Sequence, residues 1–225
     1  MPTIAIVDDH ELLSEALRIA LTATGRTAVR VPTGAIGELL GRLVELRPDL
    51  VLLDLDLGPP GDATPLVAPL TRAGIRVLVV TGSTDPLRIA AALEQGAIGY
   101  RVKSDGFDEL VQTAATALTA DRPLDPATRV ELLDLLWRTR AERERMLAPF
   151  RRLTDREQDA LTAMSRGRSV REMADDWVVS EATVRTHVRG VLAKLDVRSQ
   201  LGAVAAALRT GWLSGDEPAE VSSRT

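Results

Sequence analysis

Short apolar runs alternate with amphipathic stretches up to about residue 120. The runs Ile4–Val7, Ala28–Val31, Leu50–Leu53, Val77–Val80 and Gly99–Val102 are short and apolar, as strands covered on both faces require. Between them, Glu11–Ala23, Ile36–Leu46, Thr64–Ala73, Pro86–Gln95 and Phe107–Ala120 place apolar residues at helical spacing. Strand and helix repeating in this way predict an α/β doubly wound parallel sheet over 1–121. Ligands of such sheets lie beyond the carboxyl ends of the strands.

After Pro126 the pattern becomes one long helical stretch to Met146, apolar first (Val130, Leu132, Leu133, Leu135, Leu136, Trp137) and then nearly all charge. Asp134 and Arg138, Arg138 and Glu142, and Arg140 and Glu144 are spaced as i,i+4 pairs, which predicts a solvated second half. Pro149 is expected to end the helix, so 122–150 reads as a helical linker. Residues 151–213 predict an all-α domain of four helices. Thr154 with Glu157, and Ser169 with Glu172, form capping boxes. Gly167 stops the first helix, and Ser180 and Ser199 cap the third and fourth. The polar tail 214–225 is expected to be disordered.

Composition narrows the class. Cysteine is absent, which removes disulfides, thiolate metal sites and a cysteine nucleophile and agrees with a reducing, cytoplasmic setting. No apolar run is long enough for a membrane span, and Met1-Pro2-Thr3-Ile4 lacks the basic start of a signal peptide. The net charge of -4 speaks against a nucleic-acid binder until it is divided along the chain. Acids outnumber bases up to Asp125. From Arg151 to Arg209 the balance reverses, through Arg151, Arg152, Arg156, Arg166, Arg168, Arg171, Arg185, Arg189, Lys194, Arg198 and Arg209. Two halves of opposite sign imply two tasks.

In the acidic half, Asp8 and Asp9 follow the first strand, Asp54 the third, Thr81 the fourth and Lys103 the fifth. One pocket at the carboxyl ends of parallel strands can hold them all. Clustered carboxylates make a hard oxygen site suited to Mg²⁺, and a central carboxylate can attack phosphorus to give an acyl phosphate. Asp54 is the expected acceptor, Asp9 the metal ligand, Asp8 its outer partner, Lys103 the cation and Thr81 the hydroxyl that share the phosphoryl charge. Any one of these residues alone would read as a helix cap or a surface group; their joint order at the strand ends carries the assignment. His10 has no second histidine or cysteine nearby and reads as surface or helix-start packing.

The stretches Ile4-Ala5-Ile6-Val7-Asp8-Asp9-His10, Leu52-Leu53-Asp54-Leu55-Asp56, Val79-Val80-Thr81-Gly82 and Gly96-Ala97-Ile98-Gly99-Tyr100-Arg101-Val102-Lys103 resemble the receiver domain of response regulators, a flavodoxin-like (βα)5 fold. The resemblance implies that a sensor histidine kinase phosphorylates Asp54. It also implies that the backbone carbonyl of Asp56 joins the Mg²⁺ and that Tyr100 acts with Thr81 as a switch. Two positions depart from the family: Gly82 replaces its usual alanine, and Gly58, followed by Pro59 and Pro60, replaces its usual proline.

In the basic half, Leu153-Thr154-Asp155-Arg156-Glu157, Arg171-Glu172-Met173-Ala174, Ser180 to Val188, Lys194-Leu195 and Val197 resemble the LuxR-type helix-turn-helix domain. With a receiver in front, the resemblance is to the NarL/FixJ subfamily. Glu172–Asp176 and Ser180–Leu195 are the expected helix pair, with Trp177–Val179 as the turn. Val184, Val188, Val191, Leu192 and Leu195 form one apolar stripe of the second helix. Arg185, Thr186 and Arg189 face the other way, as base readers in a major groove of double-stranded DNA. Lys194, Ser180 and Thr183 are expected on phosphates. His187 and Trp177, the latter replacing the family's leucine, read as packed. The last helix, through Leu201, Val204, Ala205 and Leu208, is implied to pair two DNA-binding domains.

The expectation is therefore a DNA-binding transcriptional response regulator, not an enzyme, that forms a phosphorylation-dependent homodimer. One rival is a constitutive DNA-binding protein whose pocket is structural. A second is a haloacid-dehalogenase-like phosphatase, since Asp54-x-Asp56, Thr81 and Lys103 follow that order too. Those enzymes need a further acidic pair after the lysine, whereas here Asp8–Asp9 comes first.

Overall fold

A computed structural model describes residues 1–59, 61–118 and 123–214. Pro60, the end of the expected fifth helix at Ala120 and the tail from Gly215 lie outside the described residues. The chain divides into two compact units, Met1–Arg138 and Thr139 onwards.

The first unit is a five-stranded sheet in the order β2-β1-β3-β4-β5, every pairing parallel. The strands are β1 (Thr3–Val7), β2 (Thr27–Arg30), β3 (Leu50–Leu53), β4 (Arg76–Thr81) and β5 (Gly99–Val102). The helices are α1 (Glu11–Ala23), α2 (Ile36–Leu46), α3 (Val67–Arg72), α4 (Pro86–Glu94) and α5 (Phe107–Thr116). The predicted helix Thr64–Ala73 is split, with a 3₁₀ turn at Thr64–Leu66 leading into α3. Pro65 and Pro69 lack the N–H that a regular first turn uses farther along, which favours the tighter entry.

Strand side chains alternate between two cores, as a period of two requires. Ile4, Ile6, Leu50, Leu52, Leu78 and Val80 pack on one face with Leu17, Leu21 and Leu110. Ala5, Val7, Val51, Leu53, Val77 and Val79 pack on the other with Leu39, Leu43, Leu70 and Leu93. From β1 the chain passes to β2 on one side and then crosses back to β3 on the other, so the strand order reverses and the crevice of the sheet opens at the ends of β1 and β3.

The long helix α6 runs Pro126–Arg151, and the division between the units falls inside it. Two expectations are corrected here. The stretch 122–150 is not a linker along its whole length. Leu124 is buried in the receiver core, Leu132 and Leu133 pack against it, and Arg129 donates to Ala97 O (2.9 Å) and Leu93 O (2.8 Å). Pro149 does not end the helix either. Burial of Phe150, stacked on Trp212 at 5.7 Å, holds one more turn. The Asp134–Arg138 pair forms at 2.5 Å.

The second unit continues with α7 (Asp155–Ser165), α8 (Val170–Trp177), α9 (Glu181–Lys194) and α10 (Gln200–Thr210) around Leu153, Leu161, Met173, Val184, Val188, Val191, Ala203 and Ala207. Trp177 belongs to α8 rather than to the turn, because its ring packs on this core. The turn is correspondingly short. Val178 takes a left-handed conformation (φ 55°), and Val178 and Val179 donate to Asp175 O and Ala174 O, which is a Schellman ending.

Candidate phosphoacceptor pocket and nucleic-acid interface

Asp54 stands one residue beyond β3, and its N–H donates to Val7 O at 2.9 Å, which carries the ladder past the last paired residues to the pocket floor. Its side chain is almost wholly buried. Oδ1 accepts from the Asp56 N–H (3.1 Å) and Oδ2 from Lys103 Nζ (2.6 Å). Lys103 opens a 3₁₀ turn after β5, and the same ammonium reaches Asp8 Oδ1 at 2.8 Å. One cation therefore bridges two buried carboxylates from different strands. Burial pushes the Asp54 carboxyl above its usual range, and Lys103 and the Asp56 N–H only partly oppose this. Burial works against the Lys103 charge, yet its bonds to Asp54 and Asp8 hold its pKa above the ordinary lysine value.

Asp9 sits at the mouth with His10, whose Nδ1 lies 2.7 Å from Asp9 Oδ1 and 3.2 Å from both Asp8 Oδ1 and Lys103 Nζ. Possible ligand atoms of Asp8, Asp9, His10 and Asp54 all lie within 4.8 Å of one another. Three carboxylates at this separation are a hard donor set that fits Mg²⁺. The structure thus brings Asp8, Asp9, Asp54 and Lys103 together, with His10, exposed at the start of α1 as its sequence position implied, beside them at the rim.

The remaining predicted residues are placed differently. Thr81 is fully buried at the end of β4, and its hydroxyl accepts from the Ser83 N–H (3.0 Å). Tyr100 is half-buried and packs against the core. The Asp56 carboxylate turns outward to the Gly58 N–H (3.4 Å). Gly58 has φ 69°, which proline cannot adopt, and a Cβ there would lie 3.1 Å from Asp9 Oδ2. A Cβ at Gly82 would meet nothing within 4 Å, so the second departure leaves the pocket sterically unchanged.

In the second unit, α8 begins at a capping box in which Glu172 accepts from the Ser169 N–H (2.7 Å). Ser180 caps α9 by accepting from the Thr183 N–H (3.2 Å). Val184, Val188 and Val191 seat α9 on the core and leave Arg185, Thr186 and Arg189 exposed. Arg185 pairs with Glu181 at 2.7 Å. His187 meets Trp177 edge-on at 6.4 Å, and Arg156 lies over the same indole at 5.7 Å.

Lys194 departs from expectation. Its ammonium turns inward to Glu157 Oε2 at 2.5 Å. The cause is Glu157 itself, a buried carboxylate that would be costly without a counter-charge. Burial raises the Glu157 pKa, but Lys194 and Thr154 outweigh it and hold the group below its usual range. The Thr154–Glu157 spacing showed the cap; nothing local pointed to a partner on α9. On α10, Ala203 and Ala207 are buried, Val204 and Ala205 are half-buried, and Leu201 and Leu208 are exposed.

A doubly wound parallel sheet with this pocket, followed by a capped helix-turn-helix, defines a response regulator with a DNA-binding output. Residues 4–115 match the family model of the response regulator receiver domain, and residues 151–207 match that of the bacterial regulatory proteins of the luxR family. The chain is 31% identical over 222 residues to the DNA-binding transcriptional activator DevR/DosR of Mycobacterium tuberculosis, covering 97% of this chain and 100% of the relative. It is 28% identical over 222 residues to the transcriptional regulatory protein LnrK of Bacillus subtilis, covering 94% and 98%. The solved structure of the response regulator RcsB in a DNA complex aligns with a TM-score of 0.49 and 20% identity, covering 93% and 98%. The chain belongs to the NarL/FixJ family of response regulators. Among the described residues, no helix is long and apolar enough to cross a membrane.

Proposed function

We propose that this chain is a cytoplasmic transcription factor whose DNA binding is controlled by phosphorylation of Asp54 from a sensor histidine kinase. The observation that carries the reading is Lys103 bridging the buried Asp54 and Asp8 carboxylates. An Asp54 oxygen attacks phosphorus, the new bond is carboxylate oxygen to phosphorus, and the bond from phosphorus to the kinase histidine nitrogen breaks. Asp9, Asp54 and the backbone carbonyl of Asp56 would hold a Mg²⁺, with Asp8 as its outer partner; when bound, it supplies positive charge for the phosphoryl oxygens. Lys103 supplies a second positive charge, and Thr81, free to leave its Ser83 bond, donates a hydroxyl. Tyr100 follows Thr81 in remodelling the β5 side of the receiver.

In the output unit, Arg185, Thr186 and Arg189 read bases, while Ser180 and Thr183 hold backbone phosphates. Lys194 acts by seating α9 on Glu157. A homodimer forms through the exposed Leu201 and Leu208 with Ala205 and Val204 between them. The chain acts as a regulator and not as a phosphatase: the second carboxylate such an enzyme needs, that of Asp56, is exposed and bonded to the Gly58 N–H.

Intact-mass spectrometry after incubation with Mg²⁺ and acetyl phosphate tests the reading. A single phosphoryl adduct on the wild type, absent from Asp54→Asn, is expected. An unmodified wild type that still binds DNA would make constitutive binding the account instead.

A further inference from the structure

After Asp54, the described residues 55–58 and 61–63 pair with each other, which the family resemblance did not foretell. Ala63 N–H donates to Leu55 O (3.0 Å), Leu57 N–H to Gly61 O (3.1 Å) and Gly61 N–H to Gly58 O (2.9 Å). Asp56 and Asp62 face each other as an antiparallel bridge. This paired segment is joined to the acceptor directly, since the Asp56 N–H is held by Asp54 Oδ1.

Its outer side is tied to α4. Arg88, in the first turn of that helix, donates through Nη2 to Leu55 O (3.0 Å) and to Asp62 Oδ1 (3.2 Å). The other end of α4, at Leu93 about 8 Å along the axis at 1.5 Å per residue, is also held by an arginine. Arg129 of α6 donates to Leu93 O and Ala97 O, where α4 ends and the chain turns towards β5. Trp137 Nε1–H adds a bond to Glu94 Oε1 at 2.9 Å. Between these ties Ile89, Ala90, Ala92 and Leu93 are buried, so the helix is pressed on a close-packed core.

We infer that α4 is a strut tied at both ends, by Arg88 to the paired segment after the phosphoacceptor and by Arg129 to α6, and that it couples the occupancy of the Asp54 pocket to the docking of α6. The inference rests on the phosphoacceptor reading above. Arg88 and Arg129 are positioning residues; neither is required to touch the phosphoryl group. Coupling of this kind is reciprocal. A change at Arg129, at the far end of α4, must therefore alter the affinity of the pocket, which a merely local role in holding α6 would not do.

The test is calorimetric titration of the full-length chain with beryllium fluoride in the presence of Mg²⁺, the fluoride complex standing in for a phosphoryl group on Asp54. Arg88→Met and Arg129→Met are each expected to shift the affinity by about fivefold or more, the low end of ordinary coupling between sites. The double variant is expected to shift it no further than the larger single change, because both cut one route. Thermal melts confirm that each variant is folded. Arg129→Lys, which keeps the charge but cannot reach two carbonyls with one planar fork, serves as a milder second case with a smaller shift. An Arg129→Met affinity within about twofold of the wild type would overturn the strut while leaving the phosphoacceptor reading intact. A wild type that takes up no beryllium fluoride would overturn that reading, and the strut with it.

Discussion

Lys103 is the residue on which the pocket turns, since a single ammonium neutralises Asp8 and Asp54, whose side chains are 4% and 2% exposed. Replacing it by methionine strands both carboxylates. Lys103→Met is expected to destabilise the receiver by about 3 kcal/mol, the usual order for removing one member of a buried pair. Urea unfolding measures the loss, and added Mg²⁺ should restore part of it by supplying the missing charge. At the pocket rim, Gly58→Ala forces a side chain into left-handed backbone at about 1–2 kcal/mol and pushes on Asp9. Weaker Mg²⁺ binding by titration is expected, whereas Gly82→Ala should match the wild type in the same assay. The acidic residues and Lys103 were legible in the sequence because each ends an apolar run. The conformation of Gly58 was not, since a glycine in a loop announces freedom and not the angle it takes. His10 was legible as a surface residue at a helix start, since it precedes α1 with its side chain 67% exposed, but its contacts with Asp8, Asp9 and Lys103 were not.

Among the elements, α9 depends on a contact made far along the chain. Glu157 on α7 holds Lys194, and a Cβ at Gly190 would collide with Glu157 Oε1. Because the Glu157 pKa is depressed in the fold, its contribution is present above the ordinary glutamate range and is lost as pH falls through the depressed value. The stability of the second unit, followed by circular dichroism, should therefore fall in the wild type as pH drops below the ordinary glutamate range. Glu157→Gln should flatten that dependence and cost about 3 kcal/mol at neutral pH, near the low end for a buried pair because Lys194 stays partly in water. At the turn, Val178 is 90% exposed in a conformation that disfavours branched side chains. Val178→Gly is expected to stabilise the unit by about 0.5–1 kcal/mol, the relief of strain less the added freedom of the unfolded chain, read as a raised melting temperature. Helix positions came through well from periodicity and caps, as at Glu11–Ala23. Partners did not: the apolar first half of α6 showed a face to be buried without showing that Leu132 and Leu133 bury it on the receiver core.

For the whole molecule, a chain with net charge -4 is assigned to DNA because its basic residues gather in the second half. Binding should then fall steeply with added salt. Arg185→Ala and Arg189→Ala should each cost about 1–3 kcal/mol on the preferred site and far less on random DNA, if they read bases; fluorescence anisotropy on both duplexes separates the two. The three tryptophans of the chain are Trp137, Trp177 and Trp212. Only the first belongs to the receiver unit, and its indole N–H is held by Glu94 at the end of α4. With Trp177→Phe and Trp212→Phe, the chain would carry one native fluorophore, seated on the helix end that Arg129 grips. Because that tryptophan is already 55% exposed, lifting of α6 from α4 should be read in the intensity of its emission as the Glu94 carboxylate leaves it, an optical gauge of the step between receiving a signal and passing it on.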